Sequence, residues 1–172
     1  MRRTRSFAVA GATAAAVAVT VAASISVAAF GADAYPQVAY PEGYRDWRHV
    51  KSMLIEPGHA LYDAFGGIHH LYANREAQRG YASGTFPDGA VIVFDLLEAK
   101  SADNAVTEGA RKVVGVMHKD AKKYAATGGW GYEGFAGDSR SQRAVAGEAA
   151  TACFACHQAR KAQDYVFSSA RP

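Results

Sequence analysis

The sequence is poor in cysteine, and this scarcity excludes several uses of the residue. Cys153 and Cys156 are the two cysteines among 172 residues. A scaffold held by several disulfides is therefore excluded. A zinc finger is excluded as well, because no second Cys/His pair supplies the four ligands that a structural zinc site needs. The two thiols lie three positions apart, in one short segment near the carboxy terminus.

The sequence also lacks the signatures of nucleotide and nucleic-acid binding. It has no glycine-rich phosphate loop behind a strand, no repeat of fixed period and no low-complexity tract after residue 34. There is little excess charge, because removing residues 1–34 takes away three arginines and one aspartate and lowers the net charge from +3 to +1. We therefore expect no polyanionic partner and no nucleic acid.

The amino-terminal segment has the layout of a secretory signal peptide. Three arginines within the first five residues precede an uncharged, alanine- and valine-rich run from Phe7 to Phe30, and Ala32-Asp33-Ala34 follows. We predict a signal peptide at 1–34, cleavage after Ala34 and a location in the periplasm. The apolar run is also long enough to span a bilayer, so an uncleaved membrane anchor is the alternative.

The remaining chain has the composition of one globular domain rich in strand-forming residues. Hydrophobic residues make up 49% of the sequence and charged residues 20%. Strands are predicted at 66–73, 90–97, 109–118 and 131–135. The second of them follows a Pro-Asp-Gly turn. Trp130, Tyr132 and Phe135 are candidate core residues of the last strand.

Short helices are predicted between and after these strands. Asn74 can cap a helix over 76–81, a helical turn is expected at 120–125, and a late helix is expected over 148–159. Together with the strands, these elements predict an α+β fold.

The late helix carries the motif Cys153-Phe154-Ala155-Cys156-His157. This spacing lets each thiol form a thioether with one haem vinyl group while the His157 imidazole reaches the iron. Export supports this interpretation, because haem attachment in bacteria is completed outside the cytoplasm. A bare dithiol is the alternative. We predict one covalent haem c, bound by Cys153 and Cys156, with His157 as the proximal iron ligand.

The function of such a haem depends on the sixth coordination position of its iron. None of the other histidines and methionines after residue 34 lies in a recognisable ligand motif. The adjacent pair His69 and His70 is distinctive, because neighbouring residues of a strand face opposite sides and one of them must point inward. His69, His70 and Met117 stay open as the sixth ligand that an electron-transfer cytochrome would need.

Several segments, in order along the chain, resemble the cytochrome P-460 family. They are Tyr44-Arg45-Asp46-Trp47, 65–74, the turn and strand at 86–93, Lys119-Asp120, Gly129-Trp130 and the late motif followed by Asp164-Tyr165-Val166-Phe167. The resemblance covers nearly all of 35–172, which we predict to be one cytochrome P-460-like haem-binding domain. It implies a mainly antiparallel sheet with a few short helices, a five-coordinate haem and a homodimer.

Two functional branches of that family differ at positions that can be matched here. In the hydroxylamine-oxidising branch, a lysine in the strand after the turn is cross-linked to the haem and an acidic residue on a later strand accepts a proton. Phe94 stands at the lysine's position, no lysine lies between Lys51 and Lys100, and the acidic residue is replaced near Gly115. The chain is more similar to the cytochrome c'-beta branch, which caps the open face of the iron with phenylalanines.

Phe65 and Phe94 match those capping positions of the distal haem pocket. An apolar ring supplies no ligand atom and disfavours water, whereas nitric oxide and carbon monoxide bind ferrous haem without a hydrogen-bond donor. The resemblance therefore implies a gas-binding cytochrome that scavenges or detoxifies nitric oxide, with an unknown electron donor and no assigned catalytic residue.

The alternative is an oxidoreductase acting on hydroxylamine or nitric oxide. Tyr81 keeps this alternative open, because tyrosine can also form a cross-link to haem in an unrelated enzyme. Arg143, Arg160 and Lys161 are candidates for charges that tune the reduction potential.

Overall fold

The computed structural model describes residues 35–171, which form one antiparallel β-sheet with short helices. The strands pair in the order β1-β2-β3-β4-β5. Their bounds are β1 Arg48–Ile55, β2 Gly67–Ala73, β3 Val91–Ala102, β4 Ala105–Lys119 and β5 Trp130–Ala136. The α-helices are α1 Tyr62–Phe65, α2 Arg75–Ser83 and α3 Ala155–His157. The predicted α+β fold, with a mainly antiparallel sheet and a late helix, is confirmed.

The predicted signal peptide lies outside the described residues, so the division into 1–34 and 35–172 stays a prediction. Within residues 35–171, none of the helices combines the length and the apolar character that a membrane span requires.

The junction of β2 and α2 forms where the sequence predicts it, around Asn74. The Asn74 side chain accepts hydrogen bonds from the amides of Ala77 (2.9 Å) and Val91 (3.0 Å). The side-chain oxygen of Asn74 therefore caps the first turn of α2 and also connects this turn to β3. Fewer backbone N–H groups at the start of the helix are left without a partner.

Three parts of the structure differ from the sequence prediction. β3 and β4 extend into a hairpin at Asp103 and Asn104, whose φ angles of 51° and 59° suit a two-residue turn. The added arms are exposed and carry no apolar alternation, so no pattern reveals them. β1 is not predicted either, because it is an edge strand with mixed burial and a bulge between His49 and Lys51. In place of the helical turn expected at 120–125, a turn leads into the 3₁₀ helix Ala125–Thr127.

The sheet buries side chains on both faces. We call one side the front face; it carries Leu71, Ile92, Phe94, Met117 and Tyr132. The opposite side, the back face, carries Tyr72, Val93, Val114, Val116 and Phe135. The carboxy-terminal helical segment packs on the front face through Cys153, Phe154 and Tyr165. All three candidate core residues of β5 are buried.

Helix α2 is fixed at a close approach to the turn before β3. A Cβ atom built on Gly80 would lie 2.2 Å from Cδ1 of Phe86. We expect Gly80→Ala to lower the free energy of unfolding by about 1–3 kcal/mol through overpacking, although alanine favours a helix by about 1 kcal/mol. Urea unfolding measures the difference. The exposed Arg79→Ala on the same helix is the control, and a stabilised Gly80→Ala would contradict the close packing.

Candidate functional site

The Cys-x-x-Cys-His motif lies on one helical segment of changing pitch. The segment begins as the π-helix Ala149–Phe154, continues as α3 and ends as the 3₁₀ helix Gln158–Gln163. π-Helical turns are rare and occur frequently at functional sites. Within this segment Cys153 packs against the front face, whereas Cys156 is exposed.

The environment of Cys153 is poorly suited to dithiol chemistry. Burial raises the pKa of the Cys153 thiol to about 11. A redox-active dithiol needs a thiolate, which a lowered pKa provides. The site therefore does not favour the bare-dithiol alternative.

The His157 imidazole is oriented as a metal ligand. Its Nδ1 lies 2.6 Å from the backbone carbonyl oxygen of Tyr165. A carbonyl oxygen only accepts, so Nδ1 carries the proton and Nε2 is left with the lone pair that a metal needs. Burial lowers the pKa of His157, which keeps the imidazole neutral. Metal-ligating histidines commonly donate their other ring N–H in this way.

The carbonyl of Tyr165 belongs to a strained turn. Asp164 and Tyr165 have φ angles of 50° and 65°, in a left-handed region that costs free energy for residues with a Cβ. Asp164 fixes this turn through side chain and backbone. Its Oδ1 accepts from Lys119 Nζ (2.6 Å), its Oδ2 from the Phe86 amide (2.8 Å) and its carbonyl from Trp130 Nε1 (2.8 Å). We call this set the Asp164 anchor.

Aromatic rings surround the side of the motif on which His157 lies. Ring centroids of Tyr132 and Phe167 are 4.9 and 5.0 Å from that of His157. The guanidinium carbon of Arg160 lies 5.0 Å from the Phe167 ring centroid. Arg160, one of the charges predicted to tune the reduction potential, therefore packs on Phe167, which in turn contacts His157. Arg143 instead pairs with Glu133 and packs on Phe135 of the back face.

The structure brings Phe65 and Phe94 together. Their ring centroids are 5.7 Å apart and the rings meet edge to face at 81°. Phe65 ends α1 and is 41% exposed, whereas Phe94 lies half-buried in the middle of β3. Gly115 is the partner of Phe94 on β4. Gly115 is also the position near which the acidic residue of the hydroxylamine-oxidising branch is replaced. This position therefore lies directly beside Phe94.

The predicted opposition of His69 and His70 is confirmed. His69 is 4% exposed, on the front face, with its ring centroid 4.5 Å from that of Phe94. Burial lowers the pKa of His69 to about 4, so the ring is neutral near pH 7. His70 contacts Ser52 Oγ (2.6 Å) and Glu108 Oε1 (2.6 Å) on the other side.

Two further side chains bear on the alternatives left open by the sequence. Tyr81 bonds Ser168 Oγ at 2.7 Å and packs edge to face on Phe86, so its hydroxyl is already engaged. Lys112, which sequence reasoning missed, donates from Nζ to the carbonyl of Gly66 at 2.8 Å, next to Phe65. No motif marks Lys112, because strand pairing rather than sequence spacing brings it there.

These residues fit a c-type haem. The donor set consists of two thiols three residues apart and an adjacent imidazole with a free Nε2. The rings of Phe65 and Phe167 are among the large apolar side chains left exposed. A porphyrin is a large apolar surface of the kind that would cover such rings.

Comparison with known proteins agrees with this chemistry. A family model described as Cytochrome P460 matches residues 41–168. The matched region contains both cysteines, His157 and the two phenylalanines of the predicted distal pocket. No curated protein matches the chain.

The Asp164 anchor yields a stability prediction. The side chains of Lys119 and Asp164 are only 10% and 14% exposed. Lys119→Met would leave the Asp164 carboxylate buried without its countercharge, so we expect it to lower the free energy of unfolding by about 3–5 kcal/mol. Urea unfolding followed by tryptophan fluorescence measures this.

The control for that experiment is Arg140→Met, which breaks the exposed ion pair between Arg140 and Glu42. Exposed pairs contribute about 0–1 kcal/mol. Equal, small losses in both variants would show that the anchor does not stabilise the turn.

Proposed function

The chain belongs to the cytochrome P460 family of c-type haem proteins, and on this premise we propose that it is a periplasmic mono-haem cytochrome that binds nitric oxide and carbon monoxide. The observation that carries this proposal is the contact between Phe65 and Phe94 on the front face, where Gly115 rather than an acidic residue is the strand partner of Phe94. The proposed physiological role is the scavenging or detoxification of nitric oxide.

In this proposal the carboxy-terminal motif binds the haem. Cys153 and Cys156 form the two thioethers and Nε2 of His157 is the proximal ligand. When bound, the haem would supply an iron able to coordinate a small diatomic molecule. The hydrogen bond from Nδ1 of His157 to the Tyr165 carbonyl fixes the ring orientation and increases the basicity of Nε2.

Phe65 and Phe94 cap the other side and select the ligand. Their rings offer no lone pair and exclude water, so they leave room only for a small neutral molecule. Dioxygen on iron carries partial negative charge and gains from a hydrogen-bond donor, which a phenyl ring lacks. Nitric oxide and carbon monoxide need no such donor. The pair therefore favours these two gases over dioxygen.

The aromatic surroundings of His157 support the ferrous state. Tyr132 and Phe167 lie within 5.0 Å of the imidazole, centroid to centroid. Apolar rings lower the local dielectric and limit access of water, and both effects disfavour the additional positive charge of ferric iron. Carbon monoxide binds only ferrous haem iron, whereas nitric oxide binds ferrous and ferric iron and is held more tightly by the ferrous form.

Hydroxylamine oxidation is the second candidate, and one observation favours it. Lys112 Nζ donates to the carbonyl of Gly66, the residue that follows Phe65 in the chain. A cross-link between this amine and the porphyrin would replace the one that the sequence lacks at position 94. Such a haem would show a red-shifted absorption band.

Export and assembly belong to the same proposal. Residues 1–34 would direct export, which haem attachment in the periplasm requires. Family resemblance is the basis for proposing a homodimer. The electron donor is unknown.

Haem attachment can be tested by replacing each cysteine. We expect the native protein to retain its haem after acid–acetone extraction, because two thioethers hold it. Cys153→Ser and Cys156→Ser should each retain the haem through one thioether and show an altered pyridine haemochrome band. The double variant should lose it.

Mass spectrometry of the same samples supplies the control. The expected mass is that of residues 35–172 plus one haem. Extraction of the haem from the native protein would contradict covalent attachment, and a haem peptide joined to Lys112 would support the second candidate.

Gas binding can be tested through Phe65. We expect a five-coordinate high-spin ferrous spectrum and binding of carbon monoxide and nitric oxide. Phe65→Ala should bind carbon monoxide roughly tenfold faster, which corresponds to about 1.4 kcal/mol less barrier, because half of the cap is gone. Stopped-flow absorbance measures the rate.

Leu61→Ala is the matched control, since Leu61 is another exposed apolar residue, immediately before α1. It should leave the rate unchanged. An unaltered rate in Phe65→Ala would count against the cap, and a six-coordinate low-spin spectrum of the native protein would exclude an open iron.

A further inference from the structure

His69 is a buried histidine whose Nδ1 makes no hydrogen bond within the described part of the chain. A buried polar atom without a partner costs free energy, so such atoms are rare and require an explanation. The adjacent His70 has partners for both ring nitrogens. Strand β2 therefore carries one histidine that is fully engaged and one that keeps a free lone pair or N–H in an apolar setting.

The position of His69 links it to the distal pair. His69 pairs with Leu96 across β2 and β3, and Phe94 pairs with Leu71, so the two rings are diagonal neighbours on the front face. Their planes are tilted by 35°. The Phe94 ring contacts His69 on one side and Phe65 on another.

The chemistry of His69 is that of an iron ligand. A neutral imidazole is a strong ligand for ferrous and ferric haem iron, and needs no deprotonation before it binds. Desolvation keeps His69 neutral by lowering its pKa to about 4. Coordination would also give a partner to a ring that the fold leaves incompletely bonded.

We propose that His69 is a reserve distal ligand of the haem iron, which the Phe94 ring screens from the open coordination position. With the ring in place the position is free for a gas. When the ring moves aside, His69 donates a nitrogen lone pair to the iron and closes the position. This inference rests on the proposed function, because it requires a haem held by His157 with its other face toward Phe94.

Met117 is the rival ligand. It lies on the front face of β4, where it pairs with Ile92 and Tyr132, and it is diagonal to Phe94 as His69 is. Met117 is half-buried in the core cluster of this face. A thioether sulfur is only a weak hydrogen-bond acceptor, so burying it without a partner costs less free energy than burying the unpaired Nδ1 of His69. The surroundings of Met117 therefore give no reason to expect an additional ligand.

The test uses the purified holoprotein and three variants. We expect a five-coordinate high-spin ferrous spectrum for the native sequence and a six-coordinate low-spin spectrum for Phe94→Ala. Phe94→Ala with His69→Leu should return to five-coordinate high spin. Phe94→Ala with Met117→Leu, the matched control, should stay low-spin. Ferric electron paramagnetic resonance should give the same assignments.

Carbon monoxide binding gives a second readout of the same variants. Phe94→Ala should bind more slowly than the native protein, because His69 must dissociate first. The double variant with His69→Leu should bind faster than the native protein, because neither ring nor imidazole obstructs the iron.

Photolysis of the carbon monoxide complex tests the native sequence, and covers the case that Phe94→Ala does not fold. A transient low-spin species that disappears in His69→Leu is the expected result. No such transient, a high-spin Phe94→Ala, or a low-spin spectrum that survives His69→Leu would overturn the proposal and leave the gas-binding function standing. A native protein that is already low-spin through His69 would overturn both the open iron and the screening by Phe94.

Discussion

The hydrogen bonds of Asp164 are the interaction on which the functional site depends. This one residue joins β4 through Lys119, the turn before β3 through Phe86, and β5 through Trp130. Its neighbour Tyr165 presents the carbonyl that orients His157. The sheet therefore helps to determine which nitrogen of His157 is free. A change that relaxes the turn would therefore alter the orientation of the His157 imidazole without replacing the cysteines or the histidine.

The same anchor explains how two unfavourable conformations persist. Left-handed φ values at Asp164 and Tyr165 cost about 1–2 kcal/mol per residue. A buried ion pair and two hydrogen bonds from the backbone amide and the indole N–H fix the turn from three directions. Strain of this kind is retained where the surrounding structure over-determines it, and functional sites are where it clusters.

Elements that depend on residues close together in the chain can be predicted from the sequence. Contacts that depend on strand pairing cannot. The Asn74 cap, the strand after the Pro-Asp-Gly turn and the late helix follow from residues a few positions apart, and all three are present. β1 is not predicted because it is an exposed edge strand whose bulge interrupts the alternation of apolar and polar residues. The approach of Lys112 to Gly66 spans 46 residues and leaves no local signal. Residues of the site itself are easier to find than the contacts that position them.

The pair His69 and His70 illustrates the difference between what local sequence determines and what strand pairing determines. Alternation along a strand requires His69 and His70 to face opposite sides, but it does not say which of them faces Phe94. The answer comes from register: Leu71 lies opposite Phe94, so residues 69, 71 and 73 share the front face. A slip of one residue would exchange the two rings, placing His70 beside Phe94 and His69 toward Ser52. The register of β2 against β3 therefore decides which of the two imidazoles neighbours Phe94.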